Sequence, residues 1–316
     1  MKPPRLSVFI PTYNPDASRL DKTLQALRKQ ALTLNDWELL VIDNASTNDV
    51  LSRINLGWHP LARIVREERP GLTYARLKGF LESKADVLVM VDDDNVLHEN
   101  YLANVLKIFG TDDTLGLAGG KSLPTYDTAP PPWIRECWSS LALRDLGDQS
   151  LTYRCADNLK LEFPAFAPIG AGMAMRRAAI EPYAESIRNG KSRITDRIGK
   201  NLTSGGDSDL VMHTLKEGWC VGYFPELSLE HLIPAGRMEK NYLARLNFSS
   251  SKSWMQVLHL HGICPWPRIP AYTVCLRKAK AFFAYRAWHS NLAYIRWKGA
   301  CGMYEGLSDE KAEPDG

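Results

Sequence analysis

An apolar run that ends in three acids is the feature that most constrains how this chain can fold. Residues 87–91 are five consecutive large apolar residues, three of them β-branched, and Asp92, Asp93 and Asp94 follow directly. Such a run is long enough for a strand that is buried on both faces, as strands of a parallel sheet are. Three adjacent carboxylates repel one another and are costly to desolvate unless a cation or several hydrogen-bond donors offset their charge. The sequence therefore predicts a buried strand with a charged site at its carboxyl end.

Stretches typical of strands alternate with stretches typical of helices on both sides of this run. The strand-like stretches are 6–10, 37–42, 64–65, 115–120, 169–175 and 227–230, and the helix-like stretches are 20–31, 74–83, 100–109 and 204–216. This alternation predicts an α/β fold with a mostly parallel central sheet flanked by helices. Residues 121–168, rich in Pro and aromatic residues, are interpreted as a long loop over the sheet. Asn14 and Asp43 also follow strands, and because ligands collect at the carboxyl ends of parallel strands, we expect them near the three acids.

The chain after residue 239 differs in charge from the part before it. Residues 240–304 contain ten Lys and Arg, four Trp and no Asp or Glu, although the whole chain carries a net charge of only +3. We therefore expect an α/β domain over 1–239 and a basic, mainly helical extension over 240–316, with a disordered tail from about residue 307. Two interpretations of the extension stay open. In the first interpretation the extension rests on an anionic membrane surface, and in the second it packs as a helical cap against the acidic part.

Three features bear on where the protein works. No stretch reaches about 18 uninterrupted apolar residues, and the first apolar run is too short for the core of a signal peptide. The six cysteines form no C-x-x-C pair, which is typical of reduced thiols in a cytosolic protein. We expect a cytoplasmic protein, peripheral on the inner face of the membrane if the extension binds lipid, and no nucleic-acid partner.

The acids at the end of the apolar run suit a hard divalent cation. Mg²⁺ and Mn²⁺ take oxygen ligands and commonly share them with substrate phosphates. Along an extended strand, Asp92 and Asp94 would point to one side and Asp93 to the other, so the expected pair is Asp92 and Asp94. The alternative is a solvated acidic turn, and the buried strand in front of the acids favours a function.

Five further candidates each have an ordinary structural alternative. Asp43 could equally form a turn or cap a helix. Asp207 and Asp209 fit the first turn of a helix, where the dipole favours acids. His231, at the end of a strand-like stretch, could simply satisfy a backbone group, and Arg76 could be a surface residue.

The same acids admit a different chemistry. Residues 92–96 fit the D-x-D-x-V pattern of an aspartate-nucleophile phosphatase or phosphotransferase. Such an enzyme normally opens its domain with this strand and needs a second acidic motif. Here the strand comes fourth, and Val211 and Met212 stand where the second acid is wanted. A non-catalytic module that binds a glycan or a lipid phosphate is the other alternative.

Seven motifs follow one another along the chain. They are residues 6–14, Asp43-Asn44-Ala45-Ser46, Gly71 with Ala75-Arg76 and Gly79, Asp92-x-Asp94, Gly170-Ala171-Gly172-Met173 with Arg176-Arg177, Gly206-Asp207-Ser208-Asp209-Leu210, and His231 with Ile233-Pro234-Ala235 and Arg237. Their order and spacing, over roughly residues 5–240, resemble those of the inverting family 2 glycosyltransferases, which have the GT-A fold. One departure is Gly206, which stands where many members of that family have Glu.

The resemblance implies a Rossmann-like GT-A domain over 1–239 that binds a nucleotide sugar. It implies metal-dependent, inverting transfer of a sugar, most simply from a UDP-sugar, to a hydroxyl of a glycan or lipid-linked saccharide, as in the synthesis of cell-envelope polysaccharides. It assigns Mn²⁺ or Mg²⁺ to Asp94 and His231, and the catalytic base to Asp207, with Asp209 as the fallback base or an acceptor contact. The residues that it assigns to the nucleotide sugar are Pro11, Tyr13, Asn14, Asp43, Arg76, Asp92 and Asp93.

Overall fold

A computed structural model describes residues 3–155, 161–190, 196–197, 199 and 202–309 of the chain. The strands are β1 Leu6–Thr12, β2 Trp37–Asn44, β3 Ala62–Glu67, β4 Val87–Met90, β5 Asn95–Leu97, β6 Leu115–Tyr126, β7 Leu151–Arg154, β8 Ala174–Arg176 and β9 Cys220–Ile233. The helices are α1 Ala17–Arg28, α2 Val50–Arg53, α3 Leu72–Glu82, α4 Tyr101–Thr111, α5 Arg177–Arg188, α6 Gly206–Lys216, α7 Lys240–Leu260, α8 Val274–Ala284 and α9 Asn291–Ser308. The predicted α/β class and the predicted helical C-terminal part are therefore both confirmed.

Within the described part of the chain, the strands form one sheet in the order β3-β2-β1-β4-β8-β6-β9-β5, and β7 pairs with β9. The first four strands of this order are parallel to their neighbours, with β1 between β2 and β4. The short strand β8 then runs antiparallel to both β4 and β6. The carboxyl ends of β1, β2, β3 and β4 consequently lie along one edge of the sheet.

The parallel strands are apolar on both faces because each face is covered. Val87, Val89 and Val91 join one core cluster with residues of α1 and α4. Leu88 and Met90 join a second cluster on the opposite face, with residues of α3, α5 and α6. Since side chains alternate between the two faces of a strand, a run of apolar residues is what a doubly covered strand requires.

Four local predictions were wrong. β4 ends at Met90, and Asp93 and Asp94 lie in a turn, so the alternating directions predicted for an extended strand do not apply. β8 is confined to 174–176, whereas a strand over 169–175 was expected. β6 continues to Tyr126, and β7 lies within the segment that was interpreted as a loop. β9 spans 14 residues, not four, because its Gly222 and Pro225 interrupt the apolar pattern without ending the strand.

The chain divides into two compact units. Unit 1 comprises residues 1–125, 142–192 and 210–232, and it contains most of the sheet with α1 to α5. Unit 2 comprises residues 126–141, 193–209 and 233–316, so the boundary falls inside α6. Unit 2 therefore includes α7, α8 and α9 together with two segments from the N-terminal part of the chain.

In unit 2, α7 and α9 pack closely along each other. A side chain at Gly302 would place its Cβ 2.0 Å from the carbonyl oxygen of Phe248, and one at Gly306 would place it 2.6 Å from that of Lys252. These two glycines therefore let the helix backbones approach. α9 ends at Ser308, so the first residues of the predicted tail are helical, and residues 310–316 lie outside the described part. None of the helices in the described ranges combines the length and the apolar character needed to span a bilayer.

Candidate functional site

Polar residues meet at the carboxyl edge of the parallel strands. Thr12, the last residue of β1, pairs in register with Asp43 of β2, and Asp43 pairs with Arg66 of β3. On the other side of β1, Phe9 pairs with Met90, the last residue of β4. This register brings the ends of β1, β2 and β4 together, as was expected from the position of Asn14, Asp43 and the three acids.

Asn14 ties the loop after β1 to the loop after β2. Its backbone N–H donates to Ser46 Oγ at 2.9 Å, and its side-chain Oδ1 accepts the backbone N–H groups of Thr47 at 2.7 Å and Asn48 at 3.0 Å. Asn14 has φ 48°, a left-handed conformation that Asn tolerates better than most residues. Asn14 therefore fixes residues 46–48 beside the end of β1.

Asp43 is held as a carboxylate by donors from both sides. Ser46 donates its backbone N–H to Asp43 Oδ1 at 2.9 Å, and the Arg66 guanidinium pairs with Oδ2. Burial acts to raise the pKa of Asp43, but the hydrogen bonds from Ser46 and Arg66 together hold the pKa below its ordinary value. Asp43 is thus an ionised acceptor at neutral pH. Sequence reasoning missed Arg66, which stands in β3 with no motif around it.

The three acids sit in a turn whose shape is set by Asn95. Asn95 Oδ1 accepts the backbone N–H of Asp92 at 3.2 Å, and its Nδ2 donates to Asp94 Oδ1 at 3.3 Å. The hydroxyl of Thr12 donates to Asp93 Oδ2. Sequence reasoning also missed Thr12 and Asn95, although each is a polar residue at one end of an apolar strand, and both are buried.

His231 faces Asp94 because β9 pairs with β5. In that antiparallel pair His231 stands opposite Asn95, and His231 Nε2 lies 3.4 Å from Asp94 Oδ1. The backbone carbonyl of Asp94 accepts the N–H of Leu232 at 2.9 Å, which fixes this contact. A buried carboxylate and a buried imidazole that converge in this way fit the ligand chemistry of a divalent transition metal such as Mn²⁺.

The other residues of unit 1 that were predicted to bind the nucleotide sugar lie in different settings. Pro11 is buried in β1, opposite Ile42 of β2. Tyr13 follows β1 with 48% of its surface exposed, and Arg76 is buried in α3. Their roles stay predictions.

The predicted base motif belongs to the start of α6. Asp207 and Asp209 both lie in its first turn, as predicted. Asp207 is half-buried, whereas Asp209 is fully buried with its Oδ1 2.7 Å from His261 Nε2. This burial favours a structural task for Asp209, and the role of Asp207 as the base stays a prediction.

An acid that no sequence motif indicated caps this helix. Asp196 Oδ1 accepts the backbone N–H groups of Gly205 at 3.2 Å and Gly206 at 2.9 Å. The first amides of a helix have no partner within the helix, and a carboxylate placed there satisfies them. Asp196 precedes the helix by about ten residues, so spacing alone gave no signal for it.

Curated relatives of this chain are glycosyltransferases. The chain is 32% identical to the glycosyltransferase AglE of Haloferax volcanii over 127 residues, which cover 39% of this chain and 41% of AglE. It is 28% identical over 178 residues to the poly(ribitol-phosphate) beta-N-acetylglucosaminyltransferase TarP of Staphylococcus aureus, which covers 52% of this chain and 53% of TarP. The chain therefore spans about half the length of the curated relatives that it matches.

Solved structures with a similar fold are also glycosyltransferases. Residues 1–349 of S. aureus TarS, solved in complex with UDP, match with a TM-score of 0.53 at 13% identity, over 96% of this chain and 90% of TarS. The mannosyltransferase PcManGT of Pyrobaculum calidifontis, solved with GDP-Man and Mn²⁺, matches with a TM-score of 0.55 at 18% identity, over 95% of this chain and 74% of that one. At this identity the likeness shows the fold, which is the GT-A fold expected from the sequence.

A family model describes the region that carries the acidic turn. The model for glycosyl transferase family 2 matches residues 7–183, more than half of the chain, from the start of β1 into α5. The match includes Asn14, Asp43 and all three acids of the turn. This family match favours a glycosyltransferase over the two alternatives that the sequence left open, the aspartate-nucleophile phosphatase and the non-catalytic module. This chain, with the GT-A fold and an acidic turn at the edge of its sheet, belongs to glycosyl transferase family 2.

Proposed function

We propose that this protein transfers a hexose-type sugar from a nucleoside-diphosphate sugar, a UDP-sugar in our proposal, to a hydroxyl group of a glycan or of a lipid-linked saccharide. The observation that supports this most is the contact of Asp94 with His231 beside the ends of β1 and β2, in a chain that belongs to a glycosyltransferase family. Two proteins of similar fold were solved with nucleotides, TarS with UDP and PcManGT with GDP-Man and Mn²⁺, which supports a nucleoside-diphosphate sugar as the donor.

The donor would lie along the carboxyl edge of the parallel strands. Asp43 is an ionised acceptor there, suited to the N–H groups of a nucleotide base, and Tyr13 is exposed enough to contact a ring. Pro11 and Asn14 shape the turn beside it, and the loop after β2 is fixed by Asn14. Arg76, Asp92 and Asp93 complete the set of residues that we assign to the nucleotide sugar.

Asp94 and His231 would hold the divalent cation, Mn²⁺ or Mg²⁺. When bound, such an ion would neutralise negative charge on the diphosphate leaving group. Thr12 and Asn95 hold the turn around this pair, because they donate to Asp93 and Asp94. A ligand pair whose carboxylate is oriented by a neighbouring donor is typical of a tuned metal site.

Asp207 would act as the base. Its carboxylate takes the proton from the acceptor hydroxyl while that oxygen attacks the anomeric carbon, and the bond between this carbon and the diphosphate oxygen breaks. Attack from the face opposite the leaving group gives inversion. Asp207 stands in the first turn of α6 and is half-buried.

The donor proposal is tested with the purified chain and a panel of UDP-, GDP-, CDP- and dTDP-sugars in the presence of Mn²⁺. We expect UDP-sugars to raise the melting temperature and release of UDP to accompany transfer to a saccharide acceptor. Release of a different nucleoside diphosphate would change the donor, and a panel with neither a shift nor nucleotide release would overturn the proposed function. EDTA should abolish turnover, and excess Mn²⁺ or Mg²⁺ should restore it.

We further propose that the protein is cytoplasmic and meets a lipid-linked acceptor at the anionic inner face of the membrane. The support comes from α8 and its flanks in unit 2, where Tyr272, Leu276, Phe283 and Trp288 are 86%, 75%, 67% and 60% exposed. Exposed aromatic and aliphatic side chains favour the membrane interface. Exposed Arg277, Lys280 and Arg286 border them, and residues 240–304 contain no acid, so the charge of this surface complements anionic lipid.

Vesicle co-sedimentation tests the membrane proposal. We expect the wild-type chain to pellet with vesicles containing about one third phosphatidylglycerol at low salt, and not with neutral phosphatidylcholine vesicles. Leu276→Ser with Phe283→Ser should remove the binding, while substitution of the buried Val274 by Ile is the matched control on the same helix. Equal recovery of wild type and double variant in the pellet would contradict the assignment of this surface.

A further inference from the structure

The space beside Gly206 is already occupied. A Cβ added at Gly206, the first residue of α6, would lie 2.2 Å from Asp196 Oδ2 and 2.8 Å from Asp196 Cγ. Gly206 is not among the residues with positive φ, in contrast to Gly205, whose φ is 155°. The backbone conformation at position 206 therefore does not require glycine, and it is the carboxylate of Asp196 that leaves no room for a Cβ there.

Asp196 cannot easily give way, because it is buried and held at both ends. Its surface is 3% exposed. Its Oδ1 accepts the amides of Gly205 and Gly206, and Thr203 Oγ1 donates to its backbone carbonyl at 3.1 Å. A residue with a side chain at position 206 would have to displace this carboxylate, which would leave the buried N–H of Gly206 and the partly buried N–H of Gly205 without this acceptor.

We propose that Asp196 is a positioning residue for the base Asp207, and that its carboxylate, brought from elsewhere in the chain, holds the start of α6 in place. The inference rests on the proposed function, in which Asp207 is the base. Asp207 directly follows Gly205 and Gly206, whose N–H groups Asp196 binds, so Asp196 fixes the backbone immediately before the base. Asp196 and Gly206 then depend on each other, because the carboxylate of Asp196 needs a residue without a Cβ at position 206.

This inference predicts reciprocal rescue. Asp196→Ala frees the two amides and loosens the first turn of α6, so we expect kcat to fall about 100-fold with little change in the donor KM. Gly206→Glu alone should be similarly impaired, because its Cβ would overlap the carboxylate of Asp196. The double variant Asp196→Ala with Gly206→Glu restores one carboxylate there, and we expect it to recover at least about 10-fold in kcat over either single variant.

The assay uses release of UDP from a UDP-sugar with Mn²⁺ and water as the accepting hydroxyl, so it needs no identified acceptor. Ser290→Ala is the control for a helix cap as such, since Ser290 Oγ accepts the N–H of Ala293 at the start of α9. We expect this variant to lower the melting temperature and to keep the wild-type kcat. Asp196→Asn, which retains an acceptor oxygen without the charge, should lie between wild type and Asp196→Ala.

A second measurement does not depend on turnover. Gly206→Ala should lower the melting temperature of the wild type but not of Asp196→Ala, because the clash needs the carboxylate. Additive effects of the two substitutions, or an Asp196→Ala variant with wild-type kcat, would overturn the positioning role. A wild-type chain without turnover on any donor would instead overturn the proposed function and with it the catalytic meaning of Asp196, even if the melting temperatures show the coupling.

Discussion

The hydroxyl of Thr12 donates a hydrogen bond to Oδ2 of Asp93, and this bond joins the end of β1 to the acidic turn after β4. Thr12 is 4% exposed and Asp93 is partly exposed, so loss of the Thr12 hydroxyl would remove one donor from a partly buried carboxylate. We expect Thr12→Val to weaken UDP-sugar binding by roughly tenfold, because hydrogen bonds to charged groups contribute about 1.5–3 kcal/mol. Isothermal calorimetry measures the change. Thr12→Ser keeps the hydroxyl and should bind normally; equal weakening of both variants would contradict a role for the hydrogen bond.

The pair of Asp94 and His231 should control the affinity for Mn²⁺. We expect Asp94→Asn and His231→Gln each to weaken Mn²⁺ binding by at least about tenfold, since ligands and the groups that orient them have effects of this size. Electron paramagnetic resonance of free Mn²⁺ gives the bound fraction directly. His98→Gln, at an exposed histidine outside the proposed site, is the control. Unchanged binding in both ligand variants would move the metal away from this pair.

Substitutions of Asp207 and of Asp209 by Asn should have different effects, the first on kcat and the second on stability. Asp207→Asn is expected to lower kcat by about 10² to 10⁴, the usual range for loss of a general base, with the melting temperature unchanged. Asp209→Asn should instead lower the free energy of unfolding by about 1.5–3 kcal/mol, because it removes a buried carboxylate that contacts His261. Initial rates measure the change in kcat of each variant, and urea unfolding measures the change in its free energy of unfolding. A stable but inactive Asp209→Asn variant would exchange the two roles.

His59 should make the stability of the fold depend on pH. Its Nδ1 accepts the N–H of Leu61 at 3.1 Å, its ring packs edge-on against Trp37, and burial lowers the pKa of His59 to about 4. Between pH 6.5 and about 4 the unfolded chain binds a proton that the folded chain does not, so stability falls as the pH falls, by up to about 3 kcal/mol.

His59→Asn keeps an acceptor for Leu61 and removes this titration. The difference in unfolding free energy between wild type and variant should therefore shrink from pH 7.5 to pH 4.5, as measured by urea unfolding at both values. A difference that stays constant across this range would show that His59 titrates alike in the folded and unfolded chains.

Periodicity predicted most of the elements that build the edge of the sheet. The runs that became β1, β2 and β4 are apolar on both faces, and such runs are hard to place anywhere but in a covered sheet. Periodicity failed where tertiary contacts decide the strand. β9 continues through Gly222 and Pro225 because it has neighbours on both sides, and β8 shrinks to three residues between β4 and β6.

The residues missed at the candidate site act through contacts that are distant in sequence. Thr12 and Asp93 are separated by 81 residues, and Arg66 meets Asp43 only because β3 lies beside β2. Asp196 is the clearest case, because the sequence showed only an unexplained glycine at position 206. The structure explains this glycine, because a Cβ at position 206 would overlap the carboxylate of Asp196.

The position of β4 between β1 and β8 has a consequence for the nascent chain. More than eighty residues separate the end of β4 from the start of β8, and at about 5–20 residues per second a ribosome needs several seconds to make them. During that time the strand that reads Val-Leu-Val-Met is an open edge, and such edges pair with other chains. Charges that flank an apolar strand oppose this pairing. The carboxylates of residues 92–94 would thus oppose aggregation of the nascent chain through this strand, before the folded protein binds any substrate.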